Sequence, residues 1–500
     1  MITINKVVFD FKMEEESFAR SLYGNWDSFC RNAFEYVVDS ILSRYDRTDE
    51  IIRLESLEVD LGTMAEEEFH EFFPKRLASS LQDIFSAFIQ DPEAYSNQIQ
   101  IIPAGKSKLE VLAFYLQYGY FHWETEGEKN DFRLLVQDLL QSEPDALCLL
   151  IQSSGGNETI RDRLVRQLPD TLLEQIVLLL EPVDGSFINN YTRVLTSLYS
   201  HTGRSEIGEQ DFRDVIQNLI FAYLLYPNRG YFNRKQFVWQ TIQGLSKRYN
   251  IHLLSLIDLL TSQVKVLSEG QSLIPELFLI LNDIRKEVKL DKAPVASNQA
   301  IEKKKNKPAV RPALSHFPLR ESNKSMEKKE PSAICKIENA GLVLFSPYFS
   351  RLFHKLEYLS LDHKTFQTTE AQIRAIFVLQ TLVSDETVFP ETDLSLNKLL
   401  TGYPLSGTLP RTLELTSREK ETTRLLSEAM MQTWEKMRNT SIEGFRQTFV
   451  RRVGKLIETD RSWELHVEEK GVDVLLSTLP WGFRLVKTPY IPKLLEVFWR

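Results

Sequence analysis

Cysteine is scarce in this sequence of 500 residues, and long apolar runs are missing. The three cysteines, Cys30, Cys148 and Cys335, lie far apart in no CxxC or His-paired spacing, which argues against a disulfide framework and a zinc site. We therefore expect a cytoplasmic protein. The longest apolar runs fall far short of the ~18 residues that span a bilayer, and the N-terminus lacks signal-peptide features, so we expect no membrane association.

A basic excess and recognisable catalytic motifs are also missing. The net charge is −9, whereas a nucleic-acid-binding domain is normally basic. The sequence has no GxGxxG after a strand, no GxxxxGK[ST], no HExxH, no GxSxG and no Asp-rich calcium loop. Only eight histidines are present, which leaves little material for a catalytic site. We expect no nucleic-acid partner, no enzyme activity, no cofactor and no metal.

The first hundred residues predict a small α+β domain, residues 1–100. Apolar residues alternate over residues 2–11 and 52–61, which is typical of two half-buried strands. Between them, Phe18, Leu22 and Trp26 begin an apolar stripe at helical spacing. A second stripe runs from Phe69 to Phe88 and contains Pro74, which predicts a kink or a break. The order is therefore β-α-β-α.

Residues 105–290 predict a helical domain, because their pattern is helical throughout. A duplication within it is one interpretation: Tyr115-Leu116 followed by Gly119-Tyr120-Phe121 resembles Tyr223-Leu224 followed by Gly230-Tyr231-Phe232. Chance clustering of aromatic residues is the alternative.

Residues 291–335 predict a disordered linker. Between positions 291 and 334 the segment holds five prolines and ten Lys or Arg against five Asp or Glu, with few apolar residues to bury. Its EKKKNK core could be a nucleic-acid or localisation patch, but we favour a solvated, self-repelling spacer.

Residues 336–500 predict a C-terminal α+β domain. Helices are expected over residues 340–356 and 369–383, and alternating or aromatic runs predict strands at 463–467, 483–486 and 494–499. The fold class is thus mainly α, with small α+β terminal regions and a small sheet at the C-terminal end.

Several motifs of the C-terminal part carry a family resemblance. They are, in order, NAGLVLFSPYFSRLF from Asn339, AQIRA at 371–375, LNKLLTGYPL at 396–405, FVRRVGKL at 449–456, LPWGF and TPYIPKLLEVFW. Together with LESLEVDLG, which ends at Gly62, this series resembles the contractile injection system tape-measure family of bacterial phage-tail-like particles. The resemblance implies a protein that acts when such a particle is built.

The positions that match this family's motifs are interpreted as structural. They are Gly62, Pro347, Arg374, Asn397, Lys398, Gly402, Arg446, Phe449, Arg452, Gly454, Pro480, Trp481 and Trp499. Thr401 stands where the family often has Cys, which argues against catalytic or metal-binding use of that position. Tyr490 stands where the family often has Trp.

Two polar groups within these motifs have functional alternatives. Asn397 and Lys398 could form a site, but Gly402 and Pro404 favour a helix end and turn, with the polar pair exposed or satisfying backbone groups. A basic helix face at 446–455 could bind phosphate. We favour an ordinary buried stripe of Phe445, Phe449 and Leu456 with solvated or paired charges around it.

Aromatic residues near the C-terminus have two interpretations, a core and an interface. For Trp463 and Trp481 we favour a position in the core. For Phe498 and Trp499 we expect packing against either a partner or a sheet edge.

The resemblance implies a tape measure that sets how far the tube and sheath polymerise. The expected partners are the tube, baseplate or spike, and cap proteins, and the expected location is the cytoplasm during assembly, with incorporation into the particle. The alternative is a globular assembly factor or adaptor that docks on the baseplate or on cargo without spanning the tube. The oligomeric state is undetermined by the sequence.

Overall fold

The computed structural model describes residues 4, 7–13, 15–45, 50–54, 56–90, 99–122, 131–201, 208–226, 231–267, 274–289 and 334–499. Described residues up to Val111 form one compact unit, and those from Leu112 onward form a second. The boundary falls within one helix. The fold is mainly α with a small sheet at the C-terminal end, as the sequence predicts. Most of the predicted linker, residues 291–333, lies outside the described residues.

The first unit consists of helices around an aromatic core. Its helices are α1 (Glu16–Gly24), α2 (Trp26–Phe29), α3 (Tyr36–Leu42) and α4 (Phe69–Gln90), with a π-helical stretch (Cys30–Glu35) between α2 and α3. Strand β1 (Glu50–Leu54) pairs antiparallel with β2 (Ile99–Pro103). Phe29 and Phe73 lie in the core with ring centroids 4.9 Å apart. Helix α4 runs through Pro74 unbroken.

Both strands predicted for this unit need correction. Of residues 2–11, the described ones form no strand, and residues 56–61 lie outside the strand that ends at Leu54. Phe9 and Phe11 instead pack their rings against Phe73. Alternating burial therefore arises here in segments whose apolar side chains pack against the core of the unit, without the backbone ladder that defines a strand.

In the described residues, the middle of the chain forms ten successive α-helices. They are α5 (Ala104–Tyr118), α6 (Phe132–Ser142), α7 (Pro144–Ser154), α8 (Glu158–Gln167), α9 (Asp170–Leu180), α10 (Gly185–Ser197), α11 (Glu209–Leu224), α12 (Arg234–Tyr249), α13 (Leu253–Leu267) and α14 (Ile274–Lys289). Side chains of Asp131, Asn157 and Asn233 cap the N-termini of α6, α8 and α12, because they accept hydrogen bonds from otherwise unpaired backbone N–H groups.

The two aromatic motifs of the middle make similar contacts. Tyr115 lies 4.8 Å from Phe121 and 4.6 Å from Phe132 between ring centroids. Tyr223 lies 5.7 Å from Phe232 and 5.1 Å from Phe237. In each case the tyrosine of one helix contacts an aromatic residue of the connection and one of the next helix. The duplication stays a prediction, and this shared arrangement agrees with it.

The C-terminal part begins with a strand and ends in a sheet. Its helices are α15 (Phe349–Lys355), α16 (Thr369–Thr381), α17 (Ser395–Thr401), α18 (Ser417–Thr433) and α19 (Ile442–Phe445). A 3₁₀ helix (Ala340–Tyr348) precedes α15, and shorter ones cover Glu391–Leu394 and Gly471–Thr478. The strands are β3 (Ile334–Ile337), β4 (Gly454–Glu458), β5 (Ser462–Val467), β6 (Leu485–Val486) and β7 (Leu494–Phe498).

The five strands form one mixed sheet in the order β3-β4-β5-β7-β6. All neighbours are antiparallel except β5 and β7, which run parallel. The inner face buries Leu456, Leu465 and Leu495 completely. Glycine at 454 is required by close packing, because a Cβ there would lie 2.9 Å from the Cβ of Ala340.

The predicted basic helix face ends earlier than its pattern suggests. Helical structure stops at Val450 with a π-helical turn (Arg446–Val450), and Gly454–Glu458 is strand β4. Phe445, Phe449 and Leu456 are all buried, as expected of the apolar stripe. The stripe is therefore divided between a helix, which holds Phe445 and Phe449, and strand β4, which holds Leu456, and all three side chains pack in the same core.

Candidate functional site

Asn397 and Lys398 lie on α17, a helix whose seven residues are all buried. The expectation that they face solvent is wrong, and the alternative that they satisfy backbone groups holds in part. Lys398 Nζ donates to Oε1 of Glu391 at 2.6 Å and to the carbonyl oxygens of Leu405 and Gly407 at 2.9 and 2.7 Å. Burial lowers the pKa of Lys398, and Glu391 opposes that shift. Gly402 ends α17 with φ +70°, as the turn interpretation requires.

Glu391 also binds Arg163, which comes from helix α8 in the middle of the chain. Arg163 Nε donates to Glu391 Oε2 at 3.0 Å, and its other nitrogens donate to the carbonyl oxygens of Leu116 and Ser406. We call Arg163, Glu391 and Lys398 the buried charge cluster. Their side chains are 0%, 0% and 1% exposed. The cluster has two cations and one carboxylate, and backbone carbonyl oxygens accept the remaining hydrogen bonds of the two cations.

Gly119 and Gln167 lie in close contact with the buried charge cluster. Gly119 has φ +80°, and a Cβ there would lie 2.8 Å from both Arg163 Nη2 and Glu391 Oε1. Gln167, one turn along α8 from Arg163, donates to the carbonyl of Leu409 at 2.9 Å and accepts from the backbone N–H of Glu391 at 3.2 Å. Helix α8 therefore holds both the turn at Glu391 and the loop that follows α17.

A second cluster, the amide cluster, consists of Asn339, Gln380 and Asn397. Asn339 Nδ2 donates to Asn397 Oδ1 at 2.8 Å, and Asn397 Nδ2 donates to Gln380 Oε1 at 3.0 Å and to the carbonyl of Ile376 at 3.0 Å. Each residue is at most 5% exposed. These bonds join the first 3₁₀ helix to α16 and α17.

A third cluster, the terminal cluster, consists of Arg452, Asp473 and Trp499. Arg452 binds Asp473 in a bidentate manner at 2.7 and 2.9 Å, and Trp499 Nε1 donates to Asp473 Oδ2 at 3.1 Å. The guanidinium carbon of Arg452 lies 5.3 Å from the Trp499 ring centroid. Burial by itself raises the pKa of Asp473, but hydrogen bonds from Arg452, Lys470 and Trp499 leave it lowered.

Two further arginines of the family motifs form ion pairs. Arg374 binds both oxygens of Glu419 at 2.8 and 2.6 Å, and Tyr358 donates to the same carboxylate. Burial alone raises the pKa of Glu419, but hydrogen bonds from Arg374, Tyr358 and Thr416 lower it to about 2. Arg446 binds Asp385 at 2.8 Å through two nitrogens.

Comparison with known proteins assigns the chain to a family. The model for contractile injection system tape measure proteins matches residues 1–499. The chain belongs to this family. No curated protein and no solved structure matches the chain significantly.

Most family-motif positions of this tape measure family member lie in buried structure of the second unit. Phe449 and Trp434 are in ring contact at 5.0 Å, and Trp481 Nε1 donates to the carbonyl of Leu344 at 3.0 Å. Pro347 lies within the first 3₁₀ helix. Three positions differ, because Gly62, Pro347 and Pro480 are exposed; Gly62 also belongs to the first unit, where its φ is +66°.

The aromatic residues at the C-terminus divide between core and surface. Trp463 and Trp499 are 5% and 3% exposed, and Trp481 is half-buried against the same core. Phe498 is 48% exposed and stacks on His466 with ring centroids 4.5 Å apart. Of the adjacent pair, Trp499 faces the core and Phe498 faces outward, since successive side chains of a strand alternate between faces.

Sequence reasoning missed the acidic partners of these clusters and also Arg163. Glu391, Asp473 and Arg163 have no local pattern that marks them as buried, since their partners lie on other elements, from 7 to 228 positions away. Glu419 had a signal, because Thr416 and Glu419 form the Thr-x-x-Glu pattern of a capping box, which the structure contains. Among the described residues, no group of three His, Cys, Asp or Glu is placed to hold a metal ion.

The three clusters and two ion pairs can hold distant segments together. Each polar side chain that they comprise makes at least one hydrogen bond, although the buried atoms Asn339 Oδ1 and Arg452 Nε have no partner. The bonds reach from α8 to the last strand. Among the described residues, no helix is both long and apolar enough to cross a membrane.

Proposed function

We propose that this protein is the tape measure of a contractile injection particle and sets the length to which the tube, and with it the sheath, polymerises. The family match supports this function most directly, because it extends over residues 1–499 and so includes both units. In this role the protein associates with the tube, baseplate or spike, and cap proteins, and assembly takes place in the cytoplasm.

Chain length is compatible with this role. A continuous helix of 500 residues would span on the order of 750 Å, and an extended chain about twice as much. A measuring form of that length requires the second unit to open, which breaks the buried charge cluster. We infer that the compact unit is the state before tube assembly.

The buried charge cluster also favours a second candidate, an assembly factor that stays compact. The cluster ties α8 to the turn before α17 within a unit that has an apolar core, and opening the unit would expose that core to water, which is costly. A protein that never opens would dock on the baseplate or on cargo, without a defined relation between its length and the particle's length.

Paired deletions distinguish the two candidates. Deletion of residues 253–289 removes α13 and α14, and deletion of residues 291–327 removes an equal length without touching any described helix. A tape measure predicts that each deletion shortens the particle by ~55 Å if the measuring form is helical, or by about 125 Å if it is extended. Duplication of residues 291–327 should lengthen it equally. Electron microscopy of purified particles gives these lengths.

An assembly factor predicts another result. Particles would keep the wild-type length or fail to form, whichever segment is altered. Wild-type length in the 291–327 deletion and duplication, with normal particle numbers, would exclude the tape measure function and leave the assembly factor.

A further inference from the structure

A tightly bonded hairpin follows α15 in the second unit. We call residues 358–367 the Leu361 hairpin. Leu359 and Phe366 form an antiparallel bridge, and the backbone N–H of Gln367 donates to the carbonyl of Tyr358 at 2.9 Å. Ser360 N–H donates to the carbonyl of Thr365 at 2.9 Å. The hairpin is thus closed by its own backbone bonds.

Side chains stabilise the hairpin further. Ser360 Oγ donates to Asp362 Oδ1 at 2.6 Å, and the backbone N–H of Lys364 donates to the same oxygen at 3.0 Å. These bonds lower the pKa of Asp362, the bond from Ser360 most strongly. Phe366 anchors the base, with ring centroids 5.3 Å from Phe353 and 5.2 Å from Tyr490.

Leu361 lies at the tip of this hairpin and is 101% exposed. A single exposed leucine is ordinary on a protein surface. Here the backbone around it is fixed by at least five hydrogen bonds, so little conformational entropy would be lost when the side chain enters a pocket. A fixed, fully exposed apolar side chain is suited to binding.

The surface beside Leu361 is mainly cationic. Lys364 lies on the hairpin, and Arg351 and Lys355 lie on α15, all three exposed. His354 of α15 contacts His363 of the hairpin with ring centroids 4.7 Å apart, which places the two elements side by side. Of the nearby acids, Glu357 is paired with Arg418 at 2.7 Å, Glu421 is paired with Arg424 at 2.7 Å, and Asp362 is held within the hairpin.

We propose that the Leu361 hairpin is a docking surface for another subunit of the injection particle, whose complementary site is an apolar pocket with an acidic rim. Leu361 fills the pocket, and Arg351, Lys355 and Lys364 face the acidic rim. This inference rests on the proposed role in particle assembly, and it holds for the tape measure and for the compact assembly factor.

Variants of the full-length chain in the producing bacterium test the proposal. Leu361→Asp should reduce particle numbers about ten- to hundred-fold, because it removes the apolar contact and places an acid against the acidic rim. Leu361→Met should restore them. Val474→Asp is the matched control, since Val474 is 64% exposed in the same unit. All variants should unfold at the wild-type temperature by circular dichroism, since none alters a buried group.

Charge reversal and cross-linking give independent tests. Lys355→Glu with Lys364→Glu should also reduce particle numbers. A photoreactive residue at position 361 should form an adduct with the mass of this chain plus one tube, baseplate or cap subunit. An adduct of two copies of this chain would overturn the proposal, as would normal particle numbers with Leu361→Asp.

Removal of the gene separates this proposal from the proposed function. Normal particles without the gene would refute the role in assembly. Loss or altered length of particles without the gene, together with normal particles from Leu361→Asp, would refute the docking surface alone.

Discussion

Arg163 and Glu391 are 228 positions apart in the chain, yet their side chains form a fully buried ion pair at 3.0 Å. The pair joins helix α8 to the turn before α17 and so closes the middle of the chain onto its C-terminal part. Together with the bonds of Gln167, this contact joins two parts that belong to one compact unit, although the sequence assigns them to separate domains.

Replacing Glu391 by Gln should destabilise the second unit by about 3–5 kcal/mol, because Arg163 and Lys398 would then be buried without a carboxylate. The free energy of unfolding in urea measures this. Glu421→Gln is the control, since Glu421 pairs with Arg424 on the exposed face of α18 and should leave the urea midpoint unchanged. Equal midpoints for both variants would mean that the buried charge cluster does not stabilise the unit.

Replacing Gly402 by Ala should strongly destabilise the second unit. Its φ is +70°, and a Cβ would lie 2.0 Å from the carbonyl oxygen of Tyr490, so the backbone must shift. Gly482→Ala is the matched control, because its Cβ would meet no atom within 4 Å. Thermal unfolding should show a lower midpoint for Gly402→Ala only, and a normal midpoint for that variant would contradict the close approach.

The pKa of Glu419 predicts a specific dependence of stability on pH. The folded-state pKa is lowered from 4.5 to about 2, so the ionised carboxylate stabilises the fold above pH 4.5. That contribution should be lost as the pH falls from about 4.5 to about 2. Glu419→Gln should be less stable at pH 7 and should lose less stability over this interval than the wild type. Parallel curves for the two proteins would show that Arg374 and Tyr358 do not bind this carboxylate.

Truncation of Trp499 should cost much more stability than truncation of Phe498, although the two residues are neighbours. Trp499→Ala removes a buried ring and a hydrogen bond to Asp473, so we expect a loss of about 3–5 kcal/mol. Phe498→Ala removes a half-exposed ring and should cost much less. Urea unfolding compares them, and a similar loss for both would indicate that Phe498 is covered, as at an interface.

Local pattern was sufficient for much of the fold. Helices α4 and α16 and strands β5 and β7 follow from the spacing of their apolar residues, because each element buries one face against a core. The same reasoning failed at residues 7–11, where the alternating apolar residues are described but form no strand. It also failed at Lys398, because a charged side chain at a helix end is ordinarily solvated and its buried carboxylate partner is supplied by tertiary structure.

The sequence by itself determined the mainly helical class, the C-terminal sheet and the family, because these depend on periodicity and on motifs within short segments. Tertiary structure alone decided which polar residues are buried. Arg163, Glu391 and Asp473 acquire their roles from segments brought together by folding, and no local pattern encodes such a contact. A buried charge is stable only with its partners in place, so its role can be assigned only when those partners are known.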